Sequence, residues 1–171
     1  GAGEEDRKQA KNFNTGMFNI VFHSADTEQL KTSLADYLEQ ILKNIPDTEK
    51  TKAIYDDNFI TSTVERVASP WMQYFIKYDP APALEKVKCP VLALNGEKDM
   101  QVPAKVNLEA IKAALEKGGN RNVTIKEIPG LNHLFQECKT CLITEYASIE
   151  QTFSPVALDE ILKWIKMQTK P

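Results

Sequence analysis

Two β-rich runs with one helical pattern between them constrain this chain more than any other feature. Val91-Leu92-Ala93-Leu94 lies between Cys89-Pro90 and Asn95-Gly96, and residues 122–128 read NVTIKEI. Both are too short for helices. Between them Pro103 opens a helical pattern whose apolar positions Leu108, Ile111 and Leu115 recur at helical spacing until Gly118-Gly119 stops it. Strand, crossover helix and strand make a βαβ unit, which places the two strands parallel in one sheet. A parallel strand is usually covered on both faces, so the unbroken apolar run Val91–Leu94 predicts a strand between helical layers. The fold class that follows is α/β.

The residues before this unit read as helices. Residues 4–22 begin with Glu4, Glu5 and Asp6, which suit the positive end of a helix dipole, and finish in Met17, Phe18, Ile20, Val21 and Phe22, with Gly16 as the weak point. Asp26 is placed as an N-cap with Gln29 three residues on, and Leu30, Leu34, Leu38, Ile41, Leu42 and Ile45 follow at helical spacing. Pro46-Asp47 breaks that helix and caps a third over about 48–68, with Ile60, Val64 and Val67 on its apolar stripe. Residues 69–82, SPWMQYFIKYDPAP, combine three prolines with Trp71, Tyr74, Phe75 and Tyr78. They predict a short aromatic helix, then an extended connection. The boundary between a helical segment, 1–80, and a sheet-bearing segment, 81–171, is placed there. Downstream, Ser154 caps and Pro155 opens a last helix with Leu158, Ile161, Leu162 and Ile165 expected to face inward.

Composition narrows the function. An apolar fraction of 42% and a charged fraction of 26% over 171 residues are those of a soluble globular chain with a real core. A net charge of -3, with Lys and Arg dispersed among acidic residues, leaves no footprint for nucleic acid. No run approaches the roughly 18 apolar residues of a membrane span. Cys138-Lys-Thr-Cys141 lacks a second ligand pair for zinc, so no metal or cofactor is expected. Two ordinary loop thiols are the favoured reading, and a local disulfide is the alternative in an oxidising compartment.

In open α/β sheets ligands gather beyond the carboxyl ends of the strands, where two loops lie here: Asn95-Gly96-Glu97-Lys98-Asp99-Met100-Gln101-Val102-Pro103 and Pro129-Gly130-Leu131-Asn132-His133-Leu134-Phe135. Taken singly, Asp99 is an ordinary turn residue and His133 an ordinary polar one. Together they have the order and placement of a catalytic acid and the histidine it orients. Glu97 is the rival acid, and His23, on an apolar helix end, reads as structural.

PVLALNGEKDMQVP and IPGLNHLF resemble the triad-bearing end of the α/β-hydrolase superfamily. Over residues of about 70–168 the chain is similar to bacterial esterase-like and serine-aminopeptidase-like members. The resemblance implies a helical lid followed by the last βαβα unit of an incomplete parallel sheet, with Asp99 as acid and His133 as general base. It also implies a small ester, thioester or amide substrate and a bacterial cytoplasmic or periplasmic location. Trp71, Tyr74 and Phe75 would then line an apolar substrate pocket or simply pack lid against core.

The family's nucleophile elbow, Gly-x-Ser-x-Gly, does not occur: Ser24, Ser33, Ser62, Ser69, Ser148 and Ser154 all lack the flanking glycines. The chain therefore reads as the C-terminal portion of a serine hydrolase, inactive or nearly so by itself. A second expectation is a non-catalytic binding module that self-associates, as a dimer for example, through the exposed edge of a truncated sheet.

Overall fold

The computed structural model describes residues 4–45 and 58–169. The chain divides into two compact units, Gly1–Tyr78 and Asp79–Pro171.

The first unit is helical. α1 spans Glu4–His23, α2 Thr27–Lys43, α3 Phe59–Val67 and α4 Pro70–Lys77. Its core is the stripe expected from spacing: Leu30, Leu34 and Leu38 of α2 close against Met17 and Val21 of α1 and Val64 and Val67 of α3. Asp26 caps α2, its Oδ1 accepting the Gln29 N–H at 2.8 Å, while Gln29 Oε1 reaches back to the Ala25 N–H at 2.7 Å. α1 runs unbroken through Gly16, and the Tyr37 ring occupies the space where a Cβ would stand there. The Tyr37 hydroxyl lies 3.2 Å from the Phe13 carbonyl, to which it donates. The cap expected at Pro46-Asp47 and the front of the third helix lie outside the described residues. Ser69 caps α4, accepting from the Met72 N–H at 3.3 Å.

In the second unit the connection expected to be extended is broken by one helical turn, α5, Ala81–Leu84. β1, Val91–Gly96, then pairs in parallel with β2, Val123–Ile128, in the register Val91↔Val123 to Gly96↔Ile128. α6, Ala104–Lys117, crosses between them and packs on both strands through Ala104, Leu108, Ala114 and Leu115. A 3-10 helix, Ile143–Ser148, leads to α7, Pro155–Gln168, capped by Ser154. Trp164 of α7 donates its indole N–H to Thr124 Oγ1 of β2 at 3.1 Å, and Glu160 pairs with Lys126. The fold is mixed α/β around a two-stranded parallel sheet.

Two expectations about burial fail for one reason. Val91–Leu94 is only half-buried instead of enclosed on both faces, and Leu158, Leu162 and Ile165 of α7 are 53%, 48% and 45% exposed. α7 turns Ala157 inward, with Ile161 and Trp164 half-buried. The period of an apolar pattern gives its face but not what covers it, and among the described residues no further strand or layer lies over these groups. No helix among the described residues is long and apolar enough to cross a membrane.

Candidate acid–histidine site

Asp99 and His133 come together at the carboxyl ends of the two strands. β1 ends in a turn closed by the Asp99 N–H on the Gly96 carbonyl at 3.2 Å, and Glu97 N–H and Lys98 N–H bond the carbonyls of Ile128 and Leu131 across the sheet end, both at 2.9 Å. Gly96 has to be glycine: a Cβ there would overlap the backbone carbonyls of Leu131 and Asn132. That close approach brings the histidine loop against the aspartate turn.

His133 Nδ1 lies 2.8 Å from Asp99 Oδ2. Asp99 is ionised and has no proton to give, so Nδ1 donates and Nε2 is the free acceptor in the neutral ring. The Asp99 side chain is 5% exposed and His133 37%. Asp99 Oδ1 accepts the N–H groups of Val102 at 2.8 Å and Gln101 at 2.9 Å, and Oδ2 also takes Asn95 Nδ2 at 3.1 Å. Burial pushes this carboxyl up. The Val102 amide, the His133 ring and the Gln101 amide outweigh it and hold the acid below its usual range.

The histidine loop is built around Asn132, which is fully buried. Its Oδ1 accepts the N–H groups of Leu134 and Gln136, both at 2.9 Å, and its Nδ2 donates to Gln136 Oε1 at 3.0 Å. Gln136 Nε2 in turn donates to the Gln151 carbonyl at 2.8 Å. The ring of His133 is thus carried on a loop whose polar groups are tied internally. It faces an open cleft of about 580 Å3, with Phe135, Ile149 and Phe153 on the apolar wall.

The rival acid Glu97 is engaged elsewhere, since its Oε2 accepts the Gly130 N–H at 2.8 Å and steadies the turn before the histidine. His23 bonds the Asn19 carbonyl of its own helix through Nδ1 at 2.7 Å. Trp71, Tyr74 and Phe75 belong to the first unit, on α4, where they are 66%, 66% and 63% exposed. Trp71 stacks on Phe75 at 5.2 Å and Tyr74 on Tyr78 at 5.4 Å. Cys138 and Cys141 form a disulfide, against the favoured reading of two free thiols, and Cys89 is free and exposed. No group of metal-binding residues occurs among the described residues.

No family model matches the chain, and neither does any curated protein or solved structure. The sequence singles out Asp99 and His133, which the structure brings together, but not Asn95, Asn132 or Gly96. Only Gly96 left a signal, as a glycine directly after an apolar strand.

Proposed function

We propose that this chain carries the acid and base of a serine-hydrolase triad in the last βαβα unit of an α/β-hydrolase core, which follows a helical lid segment in the sequence. The observation that carries the reading is the bond from His133 Nδ1 to a buried Asp99 saturated by four donors. Such a carboxylate fixes the ring tautomer, leaves Nε2 free to take a proton, and stabilises the imidazolium that forms. The partner hydroxyl would belong to a serine on a segment outside this chain. Attack on an ester, thioester or amide carbonyl would pass the serine proton to Nε2 and later return it to the leaving group.

The test is to read the in-frame sequence upstream of the Ala2 codon, express whatever extends this chain, and assay a p-nitrophenyl ester. The expected extension carries Gly-x-Ser-x-Gly, and the extended protein hydrolyses the ester. His133→Ala should abolish turnover, and Asp99→Asn should lower kcat by about four orders of magnitude through the wrong tautomer. An extension without a nucleophile, or turnover indifferent to His133, would sink the proposal.

One observation favours a second reading, a self-associating module. The far edge of β1 has no strand on it among the described residues, and an apolar cleft of about 410 Å3 opens between Leu92 and Leu94 of β1 and Ile161 and Trp164 of α7.

A further inference from the structure

Directly behind the histidine loop the chain makes a covalent loop that the triad reading does not use. Cys138 and Cys141 are joined across Lys139-Thr140, and the N–H groups of Lys139, Thr140 and Cys141 converge on the carboxylate of Glu145 at 2.8, 2.7 and 2.7 Å. The Thr140 hydroxyl donates to the same carboxylate. Cys141 has a φ of 62°, a backbone conformation that a residue with a side chain rarely adopts. A left-handed cysteine is held there by the disulfide on one side and Glu145 on the other. The loop begins one residue after Glu137, which pairs with Leu131 in an isolated antiparallel bridge that closes the loop around His133. Cys138 Sγ lies 3.7 Å from the carbonyl of Gly130.

We propose that Cys138–Cys141 is a reducible site, opened by a dithiol reductant, that sets the order of the loop presenting His133. The two sulfurs differ in access. Cys141 is 2% exposed and Cys138 half-buried, so a thiolate of the reductant attacks Cys138 Sγ. The sulfur–sulfur bond breaks, a mixed disulfide forms at Cys138, and the Cys141 thiolate leaves and takes a proton. The second thiolate of the reductant then attacks its own sulfur in the mixed disulfide. Cys138 is released and protonated, and the reductant ends as a disulfide.

The short spacing of the two cysteines makes this exchange selective for a dithiol. A monothiol adduct is recaptured by the neighbouring Cys141 before a second monothiol arrives. Once the bond is open, Cys141 loses one of the two ties holding its left-handed backbone. The turn then relaxes away from Glu145, and the Leu131–Glu137 bridge beside it loosens.

The test follows amide hydrogen exchange and the ring signals of His133 by NMR in the whole chain, before and after dithiothreitol, with intact mass and thiol alkylation reporting the redox state. Reduction is expected to speed exchange at Lys139, Thr140 and Cys141 about tenfold or more. It should also shift or broaden the His133 ring signals while the β1 and β2 amides keep their protection. Four results would overturn the proposal: three free thiols before reductant is added, complete reduction with unchanged exchange and His133 signals, loss of protection throughout the strands, or a Cys138→Ser, Cys141→Ser variant indistinguishable from the oxidised protein. None of these readouts requires hydrolysis, so the proposal stands or falls apart from the triad reading.

Discussion

Asp99, Glu97 and Glu145 carry the same functional group and do three different things, and the donors around each decide which. Asp99 is saturated by two backbone amides, Asn95 and His133, Glu97 takes the Gly130 amide, and Glu145 gathers three amides and a hydroxyl. For Glu145 the consequence can be measured. The Thr140 hydroxyl and the Lys139 amide, with the amides of Cys141 and Thr140, overcome burial and push its pKa from 4.5 down to about 2. A lowered folded-state pKa means that the stabilisation is complete above 4.5 and is lost as pH falls through about 2. The amide signals of Lys139, Thr140 and Cys141 should titrate together near the lower value, and Glu145→Gln should abolish that titration. A shared midpoint near 4.5 would mean that the carboxylate is not held in solution. Gly96 gives a prediction of another kind. Gly96→Ala forces a methyl into the carbonyls of Leu131 and Asn132, so it should destabilise the second unit by about 1–3 kcal/mol. It should also displace His133 from Asp99, seen as loss of the hydrogen-bonded Nδ1 proton. An alanine variant of unchanged stability would show that the two loops do not meet as closely as described.

The helices of the first unit show how local signals and contact geometry divide the work. Gly16 sits in the middle of α1, where alanine is worth about 1 kcal/mol more than glycine by propensity alone. The Tyr37 ring reverses that preference, because overlap with a packed ring costs about 1–3 kcal/mol. Gly16→Ala should therefore lower the denaturant midpoint in the wild-type background and raise it in a Tyr37→Ala background. Equal effects in both backgrounds would mean that the ring does not occupy the notch. Propensity was legible in the sequence, and so were the caps at Asp26 and Ser154, because each depends on neighbours within a few residues. Asp99 and His133 were legible because strand ends in a parallel sheet have a known functional edge. The partner of Gly16, the hub at Asn132 and the clamp at Glu145 were not. Each rests on a contact or a loop geometry that exists only once the backbone has turned, and no period or motif encodes it. The apolar face of α7 failed differently. Its pattern is real, but a pattern does not say whether a covering layer is present.

That uncovered layer decides how the whole chain should behave in solution. Among the described residues no strand pairs with the far edge of β1, and that strand has no charged residue from Val91 to Gly96, so it lacks the lysines and inward charges that usually keep sheet edges apart. In the same unit α7 leaves Leu158, Leu162 and Ile165 exposed in one stripe, and Ile165 shares a cleft with Leu92 and Leu94 of β1. An unpaired strand edge and an exposed apolar stripe each favour association, the one by pairing and the other by burial. The chain should therefore show a concentration-dependent mass in sedimentation, rising above that of one copy. Leu162→Lys tests this cleanly, because Leu162 is 48% exposed and its replacement removes little packing within its own unit. If the leucine is buried between copies, its loss weakens association about thirtyfold, the equivalent of ~2 kcal/mol for an apolar side chain returned to water. Thermal stability extrapolated to low concentration should hardly change. A wild-type chain that remains a single copy at high concentration would mean that the edge is protected in solution, and the self-associating reading would be lost while the acid–histidine pair in the second unit stood unaffected.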